Sequence, residues 1–324
     1  MNKINKFDIK KIFSKYEFQV DDIKKVKTGK FNQTFIGTVN NQNSKIKLNS
    51  NKIVLRIAPP DDAGFVFYEK NMMAREPAIH KLVADNTEIP IPEIYYYDNS
   101  RDIVNRDYLL MEYLSGTPLS ENKVSPEQKK NILKNTGKYL RELHKNCRNK
   151  KFGYPDGTYA KQGYNWSEVF SEMWKSLIDD NSRCGVYDQK ETEKAKKIID
   201  IHLENFNKDI EAVLLHMDVW SQNILVDNKG EITGIVDWDR ALWGDPEIEF
   251  AVIDYVGFDK PSFWEGYGLK PDKTEEFKIR KEFYHLYEVQ KYPVIWKLRG
   301  GETEKVKQYK KYCLNKIDRL YNGV

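Results

Sequence analysis

The hydrophobic pattern of this 324-residue chain changes period once, near Tyr113–Gly116, and that change constrains the fold more than any other feature. Before it, residues 21–58 read as paired strands. Val26–Val39 carries a turn at Gly29 and Asn32, and Lys52–Ala58 is an apolar, β-branched run closed by Pro59 and Pro60. Residues 65–84 have a helical pattern interrupted by Pro77, and Glu93–Tyr97 and Asp107–Leu114 read as short strands. After the change the pattern is helical. Ser125, Pro126 and Gln128 form an N-cap, a proline at the first helical position and a capping-box partner. Leu133, Thr136, Leu140, Leu143, His144 and Cys147 then recur at helical spacing. Helices are predicted over 166–180, 188–213, 272–290 and 302–321. Asn223–Val226 and Ile232–Val236 interrupt them as a hairpin around Asn228, Lys229 and Gly230. The expected organisation is α+β, with a strand-rich unit over 1–113 and a mainly helical unit over 114–324.

Several function classes are excluded early. The 53 Lys+Arg nearly balance the 49 Asp+Glu, leaving +4, so nothing calls for nucleic acid as a partner. No run of about 18 apolar residues is present, so no membrane-spanning helix is expected. At the amino terminus, Ile9, Ile12, Phe13 and Tyr16 keep the spacing of a surface-packed helix, and no apolar signal stretch precedes them. Cys147, Cys184 and Cys313 are scattered, which suits a reduced cytoplasm and inert thiols.

The chemistry is concentrated in Leu214–Asp227 and Gly234–Asp239. Asp218 and Asn223 are five residues apart, and Asp237 lies nineteen beyond Asp218. A loop feeding a short hairpin can bring Asn223 and Asp237 to the same end of it. One carboxylate and one amide carbonyl are hard oxygen ligands suited to Mg²⁺, which keeps several waters and shares its ligands with substrate phosphates. Asp218 would stand beside the metal, placed to orient an acceptor hydroxyl and take its proton.

This order, with His216 two residues before Asp218 and the tract Asp237–Ala251 following, resembles the signature of the aminoglycoside phosphotransferase family. That family is related to choline and fructosamine kinases and, more distantly, to protein kinases. The resemblance implies a bilobal protein-kinase-like fold, a small antiparallel-sheet lobe over a larger helical lobe, with a nucleotide between them. It implies transfer of the γ-phosphoryl of ATP or GTP to a hydroxyl of a small molecule. Asp218 is then the base, and Asn223 and Asp237 hold Mg²⁺. Thr28–Thr34, with Gly29, Asn32 and Thr34, resembles the loop that covers the phosphates. Arg56 stands where the family usually has a phosphate-binding lysine, paired with Glu76 or, because Pro77 disfavours helical geometry before it, with Glu69. Backbone groups near Glu112–Leu114 would meet the purine.

Met217 stands where Gly is usual, and Glu249 where Asp is usual. The protein-kinase forms H-R-D, D-F-G and A-P-E are lacking, which favours a small acceptor. An aminoglycoside comes first, ahead of a choline-, fructosamine- or macrolide-type acceptor, and a nucleotide-binding pseudoenzyme is the alternative of another class. His216 and His144 read as structural imidazoles, and Asp239 as a partner of solvent or of Arg240. Acceptor contacts are sought in Gly153–Trp166, in Trp264, Tyr267 and Tyr284, and in the acids Glu168, Glu172, Asp179 and Asp180.

Overall fold

The computed structural model describes residues 4–26, 31–42, 46–155, 162–271, 273–301 and 303–323. Gly29 of the phosphate-loop reading, and 156–161 of the aromatic stretch, lie outside the described residues. The chain opens with α1 (Lys6–Lys15), β1 (Phe18–Lys25), β2 (Gln33–Gln42), β3 (Lys52–Ile57), α2 (Met72–Asn86), β4 (Ile94–Asp98) and β5 (Tyr108–Glu112). The five strands form one antiparallel sheet in the order β1-β2-β3-β5-β4. Ile53, Leu55 and Ile57 alternate along β3 and bury one face against Ile9, Ile12 and Phe13 of α1, the helix face that the spacing predicts. Arg56, one step out of phase, points the other way, towards the larger lobe.

Past β5 the chain continues through β6 (Thr117–Pro118), α3 (Pro126–Asn146), β7 (Arg148–Asn149), α4 (Trp166–Arg183), α5 (Gln189–Ile201) and β8 (Ala212–Leu215). It ends with β9 (Ile224–Val226), β10 (Ile232–Ile235), β11 (Leu242–Gly244), α6 (Pro246–Tyr255), α7 (Pro261–Tyr267), α8 (Glu275–Arg299) and α9 (Thr303–Asn322). The expected α+β architecture of a small sheet lobe and a helical lobe is present. The predicted capping box at the start of α3 forms in both directions, with Ser125 and Gln128 each satisfying the other's backbone N–H.

Three expectations are corrected. The predicted helix over 188–213 stops at Ile201, and Ala212–Leu215 is a buried strand. An unbroken apolar run of four has no period to separate the two states. α2 starts at Met72 rather than 65, so Glu76 lies inside the helix and not at its start. Pro77, the sixth residue of α2, lies past the first turn, so the helix continues there without the N–H that would otherwise meet the Met73 carbonyl. α8 runs through Pro293 to Arg299, well past the predicted end at 290.

Two cores result. One lies between α1 and the sheet. The other fills the helical lobe and also takes Met72, Ile79 and Val83 of α2, so this helix of the first third packs with the second. A strap between β3 and α2 crosses the lobes as well. The Phe67 N–H donates to the Asp180 carboxylate at 2.5 Å, Glu69 pairs with Arg299 at the end of α8, and Arg299 Nε donates to the Gly64 carbonyl at 2.7 Å.

α3 is held to α7 by two glycines in close approach. A Cβ at Gly137 would stand 2.2 Å from the Phe263 carbonyl oxygen, and one at Gly266 would stand 1.8 Å from that of Lys134. Backbone cannot yield as a flexible side chain can. Gly266→Ala is therefore expected to destabilise the protein by about 1–3 kcal/mol or more in urea denaturation. An unchanged midpoint would show that the two helices separate freely.

Candidate active site

β8 leads into the loop His216–Asn223, and β9 and β10 return as the predicted hairpin. The Val236 N–H donates to the Asn223 carbonyl at 3.0 Å, which fixes Asn223 and Asp237 at the same end of that hairpin. Asn223 Nδ2 donates to both the backbone carbonyl (2.9 Å) and Oδ2 (2.8 Å) of Asp218. These two bonds orient the amide and leave its carbonyl oxygen as the available lone-pair donor. Asp237 adopts φ +70°, a left-handed backbone that turns the chain sharply after β10.

The loop is braced from beneath. Glu249 on α6 is fully buried and accepts the backbone N–H groups of His216 (2.9 Å) and Met217 (2.8 Å). Burial pushes its carboxyl up, but His144 and these bonds outweigh it and hold the group below its ordinary range. His144 bonds Tyr267 Oη at 2.9 Å and lies 3.4 Å from Glu249, a satisfied core residue as expected. His216 is buried, its Nε2 3.2 Å from the Val236 carbonyl and its Nδ1 accepting from the Asp218 N–H at 3.2 Å. Burial lowers its imidazole, so it stays neutral and structural. Met217 has φ +63°, the conformation that glycine adopts without strain, and here its side chain is buried instead.

The sheet lobe supplies the cation. Arg56 donates to Glu76, to Asp237 Oδ1 at 2.6 Å, and lies 3.5 Å from Asp239 Oδ2. Glu76, not Glu69, is thus its helix partner, since Glu69 is taken by Arg299. Burial raises the Glu76 carboxyl, but Arg56 and then His80 outweigh that and keep it ionised. Thr34 lies directly opposite Arg56 on β2. Asn32 is nearly buried and donates to Asp239 at 3.2 Å. Asp239 is thus buried against Asn32 and Arg56, and the expected solvent or Arg240 partner is corrected. At the lobe junction, the Glu112 carboxylate accepts from Asn49 (2.6 Å) and from the Glu93 N–H (3.1 Å), while Leu114 packs against Gly234 of the hairpin.

Arg240 turns to the other side. Its Nη1 donates to Asp218 Oδ1 at 2.9 Å and its Nη2 to Glu288 of α8 at 2.8 Å, and Glu288 also holds the buried Lys291. Burial and the charge of Arg240 depress the Lys291 ammonium. Sequence reasoning missed Glu288 and Lys291 beside Asp218. Their i, i+3 spacing on a long helix carries no mark of what the helix faces.

Of the acceptor residues expected from sequence, Tyr154 of the 153–166 stretch stacks on Tyr68, the ring beneath Arg240, while the others lie elsewhere. Tyr267 and Tyr284 are buried in the core, and Trp264 packs on Phe250. Asp180 is spent on Phe67 and Arg183, and Asp179 on Lys196. Glu168 and Glu172 lie exposed on α4.

The donor set suits a divalent cation. Burial raises Asp239, with the charges of Asp237 and Glu76 adding to it. Removal from bulk water raises Asp237 against the pull of Arg56, and Asp218 and Glu76 add to the rise. Such mutual repulsion marks surplus negative charge. Asn223 and Asp237 would hold Mg²⁺ there. Among the described residues no three carboxylate, imidazole or thiolate groups form an all-protein cage.

A pH dependence follows. The folded state keeps the Asp239 proton to higher pH than the unfolded chain does. Stability from that proton is present below the unfolded value near about pH 4 and is lost as pH rises through the folded one. Asp239→Asn should therefore gain stability over the parent progressively above about pH 4 in chelator-treated buffer, read by urea midpoints. A pH-independent difference would contradict the raised value.

The model of the phosphotransferase enzyme family matches residues 33–268. The "probable ketoamine kinase" of Vibrio parahaemolyticus is 26% identical over 218 residues, 64% of this chain and 69% of its own. The mouse ketosamine-3-kinase is 32% identical over 91 residues, 28% of each chain. Among solved structures, a Haemophilus somnus protein named as a candidate fructosamine-3-kinase superposes with a TM-score of 0.70 at 16% identity, covering 96% of both chains. The aminoglycoside phosphotransferase APH(4)-Ia, solved with AMP-PNP and hygromycin B, gives 0.64 at 19% identity over 98% of this chain and all of that one. With the signature residues assembled as described, the chain belongs to the phosphotransferase enzyme family, and it is a small-molecule kinase of protein-kinase-like fold.

Proposed function

We propose that the protein transfers the γ-phosphoryl of Mg²⁺-ATP or Mg²⁺-GTP to a sugar hydroxyl of a ketoamine. Ketoamine here means an amine carrying a rearranged sugar. The observation that carries the reaction is the amide of Asn223, clamped by Asp218 through its N–H groups and tied to Asp237 through Val236. That arrangement supports reading Asp218 as a base beside two hard oxygen ligands. Asp218 orients the acceptor hydroxyl and takes its proton. Asn223 and Asp237 hold the metal, whose charge offsets that of the phosphates. Arg56 forks onto phosphate oxygens, held at its back by Glu76. Asn32 and Thr34 belong to the cover of the phosphates, and the backbone near Glu112–Leu114 receives the purine.

One observation favours a ketoamine over an aminoglycoside, reversing the order expected from sequence. The Vibrio relative that aligns over most of its own length carries a ketoamine-kinase name.

Incubation with Mg²⁺, ATP or GTP, and a panel of ketoamines, aminoglycosides and choline-like alcohols should add one phosphate to a ketoamine, read by mass spectrometry. Phosphate on aminoglycosides alone would overturn the acceptor assignment. Asp218→Asn should keep nucleotide binding while losing about 10²–10⁴-fold in kcat. Asp237→Ala should weaken Mg²⁺-dependent nucleotide binding itself. An Asp218→Asn variant that turned over like the parent would remove the base assignment.

A further inference from the structure

Asp218 is held on two sides, and the second hold comes from a distant helix. Asn223 Nδ2 donates to Oδ2 at 2.8 Å, and Arg240 Nη1 donates to Oδ1 at 2.9 Å. The guanidinium is itself divided, because its Nη2 donates to Glu288 of α8 at 2.8 Å. Exposure falls along this line, from 28% for the Asp218 side chain to 12% for Arg240 and 3% for Glu288. The carboxylate of Asp218 is therefore open to the crevice while its support runs inward. The other Glu288 oxygen accepts Lys291 and, at 3.3 Å, Tyr292 Oη. Arg240 is also walled in. It lies 5.8 Å from the Tyr68 ring, Tyr68 stacks on Tyr154 at 5.4 Å and 18°, and Tyr154 Oη meets Tyr287 Oη at 3.1 Å. Tyr287 adjoins Glu288, so α8 fixes both the acid that Arg240 reaches and the ring stack beside it.

A guanidinium presents its N–H groups as a rigid fork that matches a carboxylate in two parallel bonds. With both arms on Asp218, the carboxylate would lie in the plane of the fork and give up a further lone pair, leaving less for an acceptor hydroxyl. Glu288 takes one arm away. Burial raises its carboxyl, but Arg240 and then Lys291 outweigh that and keep it ionised. Arg240 Nε is buried with no hydrogen-bond partner among the described residues, so the two Nη groups alone fix where the fork points.

We infer that Glu288 is a positioning residue for the transfer: by holding one arm of Arg240 on α8, it keeps the guanidinium on a single oxygen of Asp218 and leaves that carboxylate turned to the acceptor. The role rests on the reading of Asp218 as the base. It demands reach rather than charge, and two substitutions separate these. Glu288→Gln keeps an acceptor oxygen at the same reach, whereas Glu288→Asp keeps the charge one methylene short. Glu288→Gln should retain most of the parent kcat, and Glu288→Asp should lose about 10²-fold, the scale of a small misplacement near reacting atoms, with the nucleotide KM unmoved in both. In an Arg240→Ala background the two should no longer differ, because Glu288 acts through Arg240. A merely structural role, that of neutralising Arg240 and Lys291, gives the reverse order, with the aspartate active and the glutamine impaired. That order would overturn the assignment, as would equal kcat values or a difference that persists without Arg240. Turnover is followed with whichever acceptor gains phosphate and, where none does, by phosphate released to water, so failure of the ketoamine reading leaves the comparison intact. Failure of the base reading shows separately, as an Asp218→Asn variant that turns over like the parent.

Discussion

Arg56 lies where three parts of the chain meet, and the site depends on how its charge is shared. It sits on β3, is paired with Glu76 of α2, and reaches Asp237 and Asp239 behind the hairpin of the other lobe. A buried cation of this kind is retained only with good partners. Here the surrounding acids outweigh the cost of burial and keep it charged. The acids in turn rely on it, since Asp237 and Asp239 repel one another and have few other cations near. This mutual need aligns a sheet, a helix and a hairpin that are far apart in sequence.

The loop carrying Asp218 is held differently, by backbone N–H groups donated to a buried carboxylate and by the Arg240 ion pair. Two backbone N–H groups converge on Glu249, and the left-handed turn at Met217 lets them do so. A glutamate reaches this pair where the family usually has aspartate, and a methionine pays the backbone strain that a glycine would avoid. The buried Met217 side chain offsets part of that strain by packing in the lobe's core. Both positions therefore fall on one support.

Much of this was legible in the residues. Short-range chemistry was the most readable, as at the Ser125–Gln128 capping box, the hairpin after Asn223, and the helix face of Ile9, Ile12 and Phe13. The proximity of Asp218, Asn223 and Asp237 was readable because a hairpin converts sequence order into nearness. What stayed hidden was long-range. Nothing local says that Glu69 seeks Arg299, 230 residues away, or that Glu288 faces Arg240. The strand Ala212–Leu215 was hidden for another reason, being too short and too uniformly apolar to show a period. Tyr267 and Tyr284 looked like ligand-binding rings because aromatic residues serve cores and pockets alike, and burial alone decides between the two.

The strap between β3 and α2 adds to the contacts that join the two halves, tying the segment before α2 to the ends of α4 and α8. Any widening of the crevice along that edge has to release Phe67 from Asp180 and Glu69 from Arg299 together.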